Sequence, residues 1–178
     1  EWRDAELTEQ LNDNNFPPPK ALFVASMDDA LIFGSCFGKP DNSGLPTAPG
    51  PGFAVAKTTN PEGFPTVASA FTTPAENVRG MMTSNARLFA LSANHLHIGT
   101  LTGSSTSPLV MRPYWHTGFF HQYNGCVVKD TFYGFTGDVL SRTLADNDAD
   151  STISDRVKSE LEIYVPQRTF VGHDARNG

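Results

Sequence analysis

Short apolar runs separated by turn-forming residues set the rhythm of this chain. Ala21-Leu22-Phe23-Val24-Ala25, Ala30-Leu31-Ile32-Phe33 and Phe53-Ala54-Val55-Ala56 have strand character. Residues 38–52 are rich in Pro, Gly, Ser and Asn and read as a loop, and Asn60-Pro61-Glu62-Gly63 reads as a turn. Leu88 to Thr100 returns to strand character, with Phe89, Leu91 and Ala93 in one phase, and Gly103–Pro108 reads as the next loop. Gly118–Tyr123 and Cys126–Val128 flank Asn124-Gly125, a pair that tolerates positive φ and predicts a tight hairpin turn.

Two segments carry the other period. In Thr73-Pro74-Ala75-Glu76 the threonine caps free amides, proline suits the first helical position, and glutamate three residues on closes a capping box. Val78, Met81 and Met82 then give one apolar face, so a helix is predicted over Pro74–Asn85. Ile153, Val157, Leu161 and Tyr164 recur at helical spacing and predict a second over Ser151–Tyr164. The expected class is α+β: an antiparallel sheet of Phe53–Lys57, Leu88–Ile98, Gly118–Tyr123 and Cys126–Val128, with both helices on one face. Residues 1–20, polar and then stiffened by Pro17-Pro18-Pro19, read as an N-terminal arm. Residues 165–178 read as a C-terminal arm, which leaves 21–164 as the domain.

Composition narrows the choices. With 178 residues, 39% hydrophobic and 18% charged, the chain is neither a disordered tail nor a coiled coil. Fifteen glycines, 13 prolines and 13 phenylalanines suit many turns between aromatic-rich strands. A net charge of −6 argues against a nucleic-acid surface, and no apolar run reaches the length of a membrane span. The chain opens at Glu1 without a methionine, as expected after leader removal or within a longer gene product. An intracellular location, an organelle included, is the expectation.

Candidate chemistry is sparse. Cys36 and Cys126 are too few for a disulfide framework, and a cysteine opening a Val-Val strand reads as a small hydrophobe before it reads as a nucleophile. On one strand, His95 and His97 would share a face and reach one zinc ion. No third ligand stands at a telling spacing, so hydrogen-bonded strand histidines are the expectation and no metal or cofactor is expected. Asp146, Asp148 and Asp150 lack the central glycine and twelfth-position glutamate of a calcium loop and read as a solvated helix start.

Several stretches, read in order, resemble the class II glutamine amidotransferases, an N-terminal-nucleophile family, and most closely its short stand-alone branch. Gly50–Ala56 is similar to that branch's GDGFGVG strand, and His95–Thr100 stands in place of HVRxAT. Arg112-Pro113-Tyr114 stands in place of HPF, Tyr123-Asn124-Gly125 in place of HNG, and Ala149–Thr152 is similar to TDSE. The likeness spans roughly 21 to 163 and implies an αββα sandwich. It also implies oxyanion donors at Asn124 and Gly125 and a substrate clamp at His97 and Asp150. Two positions depart from the family. His97 replaces the clamping arginine, and Ala21-Leu22-Phe23-Val24 holds no cysteine where the nucleophile should begin a strand. The domain is also expected to end before the elements that complete the sandwich.

The leading expectation is therefore a truncated, catalytically inactive amidotransferase-like domain serving as a structural subunit of a larger assembly. Its partners would be other protein chains, met through both arms and an uncovered sheet face, over an interface above ~2,000 Å². The runner-up is an active amide hydrolase using a relocated thiol, Cys36 or Cys126. The third is an all-β module of the viral capsid or spike kind.

Overall fold

The computed structural model describes residues 15–16, 21–36, 52–56, 64–65, 71–72, 76–84, 86–104, 107–116, 118–136, 140–143, 150–152 and 171. Among them the regular structure is antiparallel strand, with one short 3-10 turn and no α-helix. This overturns the α+β, αββα expectation. The chain divides into two compact units, residues 1–77 with 100–111 and residues 78–99 with 112–178.

The first unit holds β1 (Asn15–Phe16), β2 (Ala21–Met27), β3 (Ala30–Cys36), β4 (Phe53–Val55), β5 (Phe64–Pro65) and β6 (Phe71–Thr72). One sheet runs in the order β2-β3-β4-β6, and β1 pairs with β5. The expected N-terminal arm thus contributes a two-residue strand to its own chain. Met27 pairs with Ala30 around Asp28 and Asp29, whose φ angles of 45° and 58° are both positive, as a type I′ hairpin turn requires. β3 is buried on both faces at its C-terminal end, and β4 is buried throughout. Cys36, Ala54 and Ala56 form a small core against which Ala21, Leu31 and Phe33 pack.

The second unit is built around β7 (Val78–Thr83), β8 (Leu88–Ser92), β9 (Leu96–Leu101) and β10 (Leu109–Trp115), in the sheet order β10-β9-β8-β7. The outer ends of β9 and β10 count with the first unit. A second sheet has the order β11-β12-β13-β14, from β11 (Gly125–Val128), β12 (Thr131–Phe135), β13 (Leu140–Thr143) and β14 (Asp150–Thr152). Its core is aromatic: Phe89, Leu91, Leu96, Ile98, Trp115, Phe119 and Phe132 are all buried in one cluster. The Phe132 ring lies 5.4, 5.6 and 5.8 Å from those of Phe89, Trp115 and Phe119, within the range of favourable ring pairs.

Each departure from the expected elements has a local cause. The helix predicted over Pro74–Asn85 is a strand from Val78 to Thr83. Gly80 weakens a helix there by about 1 kcal/mol, while β8 offers a full ladder across the turn closed by Ser84 N–H donating to Arg87 O. Residues 73–75, which hold most of the capping box, lie outside the described residues. A bulge between Val78 and Gly80 puts Arg79 out of the ladder, where its guanidinium donates to Phe119 O at 2.7 Å. The helix predicted over Ser151–Tyr164 begins instead as β14, because β13 pairs with Asp150, Ser151 and Thr152; its remainder lies outside the described residues.

The strand predicted over Leu88–Ile98 is two strands. The chain reverses at 92–95, where Ser92 N–H donates to His95 O and the Ser92 hydroxyl accepts from His95 N–H. The Ser92 carbonyl, released from the turn, accepts from Phe119 N–H at 2.8 Å. A Cβ at Gly118 would come within 1.5 Å of Ala93 O, so only glycine lets these backbones touch. That contact forbids the strand expected over Gly118–Tyr123, whose end is the 3-10 turn Gln122–Asn124.

Candidate functional site

Asn124 and Gly125 do not form the hairpin turn. Asn124 closes the 3-10 turn and Gly125 opens β11 with extended backbone, φ −149° and ψ 162°. The hairpin turn lies at Lys129-Asp130, between the paired Val128 and Thr131. The glycine is demanded by packing instead, since a Cβ at Gly125 would stand 2.4 Å from two ring atoms of Phe132.

The Asn124 side chain is fully buried and committed to its own backbone. Its Oδ1 accepts from Phe120 N–H at 3.0 Å and from His121 N–H at 3.1 Å. His121 Nδ1 in turn accepts from Tyr123 N–H, a reciprocal capping box around one turn. The two bonds to Asn124 use the amide oxygen and hold a loop closed; an oxyanion donor would use the side chain's N–H. The expected C-terminal arm reaches the same turn: Val171 N–H donates to Tyr123 O at 2.8 Å.

The two thiols are poorly suited to attack. Cys36 ends β3, its N–H donates to Gly52 O, and its Sγ contacts Phe33 O at 3.5 Å. Burial pushes its thiol up to about 12. Cys126, half-buried on β11 opposite Tyr133, is also pushed up by burial. Both are free cysteines. Cys36, buried and neutral, lacks the electropositive, partly exposed setting that makes a cysteine reactive, and the half-buried Cys126 is held neutral by burial as well. Asp150 stands at the start of β14 opposite Thr143, on a ladder and not at a helix start.

His97 lies on β9, 5% exposed, in register with Ala90 of β8. Its ring centroid is 5.6 Å from that of His95, which stands in the turn just before the strand. The His116 ring, 5.1 Å from that of His95, meets it edge-on at 73°. His116 follows Trp115 at the end of β10, the neighbour of β9 in the sheet. The hairpin joining β9 and β10, closed by Thr102 N–H donating to Pro108 O, returns the end of β10 to the start of β9. Sequence spacing gives no sign of this third imidazole, because eighteen residues of hairpin separate it from His97; only the strand order brings it beside His95.

No protein-family model and no curated protein matches the chain. The amidotransferase likeness therefore rests on short motifs, and the elements that carry those motifs here are strands and turns. No helix among the described residues is long and apolar enough to cross a membrane.

Proposed function

We propose that the chain is a non-catalytic all-β structural module that assembles with further copies of itself through the outer edge of β2. The observation that carries this reading is the character of that strand. Among the described residues β2 is the terminal strand of its sheet; it runs seven residues without charge or proline and alternates half-buried and exposed positions up to Ser26. Leu22 and Val24 on its outward phase are 56% and 59% exposed. A long, uncharged, apolar edge is a template for strand addition, and soluble monomers usually blunt such edges with lysine, proline or a bulge.

The energetics point to a contact that needs support. Covering the exposed halves of Leu22 and Val24 is worth about 1 kcal/mol each. A two-fold β2–β2 pair contributes four such side chains, about 4 kcal/mol, against an association cost of about 4–15 kcal/mol. Ladder hydrogen bonds and neighbouring surface must supply the rest, so the single pair is weak and repetition in an assembly strengthens it. The thiols, both kept protonated by burial, favour this reading over the relocated-thiol hydrolase.

The test is sedimentation velocity over a wide concentration range, on the wild-type chain and a Leu22→Lys/Val24→Lys variant, with ammonia release from glutamine measured alongside. Self-association that the double variant abolishes, without turnover, is the expected result. A wild-type chain monomeric at every concentration, or turnover lost in Cys36→Ser or Cys126→Ser, would overturn the reading.

A further inference from the structure

The long strands that end a sheet are treated unequally in this chain. Among the described residues they are β2 and β10, at seven residues each, and β7 at six. β7 carries Arg79 and a bulge, and its Gly80 backs so closely on the 3-10 turn that a Cβ there would stand 2.5 Å from Gln122 Cα. β10 sets Arg112 and Pro113 at adjacent exposed positions. Charges, prolines, bulges and covering loops all blunt an edge against strand addition. β2 has no charge, proline or bulge, and it is the long edge that stays open.

The ladder on the other side of β2 fixes which backbone groups face outward. A two-residue turn makes its flanking pair, here Met27 and Ala30, a hydrogen-bonded one. Such pairs alternate along an antiparallel ladder, so Ala25–Ile32 and Phe23–Gly34 are bonded pairs too. The far side of β3 has the same phase. Leu31 O accepts from Ala56 N–H at 2.9 Å, so Leu31 turns its backbone groups to β4 and its neighbour Ile32 turns them to β2. The N–H and C=O groups of Leu22, Val24 and Ser26 are therefore the ones directed at the free edge, and their side chains are the exposed ones of the strand.

We infer, resting on the β2 assembly proposed above, that β2 takes a single partner: the β2 of one second copy, antiparallel, with Val24 on a two-fold axis. In this register Val24 faces Val24, Leu22 faces Ser26 of the other copy, and every facing pair exchanges both N–H···O bonds. Sliding by two residues pushes one of these pairs off the strand. Sliding by one sets Val24 against Phe23, whose backbone groups are engaged with β3. A parallel pair would bring the Asp28-Asp29 tips of both copies to about 5 Å, whereas the antiparallel pair holds them about 27 Å apart. An isologous contact uses the same strand on both copies, so it occupies both open edges and closes at two. Larger assemblies are then built from such pairs through other surfaces.

The experiment uses the whole chain at concentrations where sedimentation shows wild-type self-association. Single Leu22→Cys, Val24→Cys and Ser26→Cys variants, all at exposed positions, are oxidised with diamide, alone and in mixtures. The wild type, whose thiols are Cys36 and Cys126, is the blank, and unchanged far-ultraviolet circular dichroism checks the fold. Facing Cα atoms lie about 5.5 Å apart, within disulfide reach, whereas Leu22 or Ser26 lies about 15 Å from its own counterpart. Val24→Cys alone should give about ten-fold more covalent dimer than either other variant alone, because Cα atoms beyond about 7 Å are not bridged. A mixture of Leu22→Cys and Ser26→Cys should match it. Equal cross-linking of all three single variants, as a parallel pair gives, or none at Val24, would overturn the inference. Assembly through β2 would still stand in that case if Leu22→Lys/Val24→Lys abolishes association. A wild-type chain monomeric at every concentration would overturn both.

Discussion

Replacing Gly125 separates two readings of the same dipeptide. In a hairpin turn with positive φ, Gly125→Ala costs about 1–2 kcal/mol of backbone strain and Gly125→Asn costs less, because asparagine visits that region more readily. In the extended conformation found here, neither substitution meets backbone strain. The new Cβ instead lies 2.4 Å from Cε2 and Cζ of Phe132, where ordinary carbon contacts are about 3.5–4.0 Å. The ring must retreat by about 1 Å, and it is boxed in by Phe89, Trp115 and Phe119. Such overpacking belongs at the upper end of the usual range, about 3 kcal/mol. Asparagine adds a buried amide to an apolar cluster, about 1–3 kcal/mol more. The expected order of stability is wild type, then Ala, then Asn. Urea unfolding followed by Trp115 fluorescence in a Trp2→Phe background measures it, since the Trp115 ring is 5.6 Å from that of Phe132. Combining Gly125→Ala with Phe132→Leu should recover more than about 0.5 kcal/mol relative to the sum of the two single changes. An Asn variant as stable as the Ala variant, or additive single changes, would refute the packing account.

Asn124→Ala removes the acceptor for two backbone amides in a fully buried position and should cost about 2–3 kcal/mol in the same assay; a loss below about 0.5 kcal/mol would contradict it. For Cys36, a thiol pushed up to about 12 from 9.0 keeps its proton in the folded chain while the unfolded thiol ionises above pH 9. The unfolded state then binds fewer protons, so stability should fall as pH rises from about 9 towards 12. Comparing urea midpoints of wild type and Cys36→Ala at pH 8 and pH 10.5 tests this, with the steeper decline expected in the wild type. Asp29, at φ 58°, should accept glycine with a gain of about 1 kcal/mol, checked by thermal unfolding; a lowered Tm would mean that the aspartate side chain is needed in the turn.

The strands legible in the sequence are those whose apolar runs sit between clear breaks. Ala21–Ala25 and Ala30–Phe33 are the hearts of β2 and β3, and Phe53–Ala56 holds β4. The illegible parts depend on partners distant in sequence. Val78, Met81 and Met82 fit a helical stripe, yet β8 supplies a ladder that outweighs it. Leu88–Leu91 and Leu96–Ile98 share strand character, and the reversal between them rests on the largely polar Ser92-Ala93-Asn94-His95, where the Ser92 hydroxyl bonds the His95 backbone. Asn124-Gly125 carries a strong turn signal because the pair serves turns in most settings; here the asparagine ties down a 3-10 turn and the glycine makes room for Phe132. The remnant-site reading inherited that ambiguity. His95 and His97 were visible as candidates, but the His116 ring beside His95 was not, since strand order in a sheet leaves no local mark on sequence.

Assembly through β2 is tested most directly by amide hydrogen exchange resolved along Ala21–Met27, in dilute and in concentrated samples. An added strand bonds only every second residue of an edge strand. The expected result is that alternate amides of β2 slow in the concentrated sample and recover fast exchange in the Leu22→Lys/Val24→Lys variant. Exchange across β2 that is the same at both concentrations would contradict the proposed role.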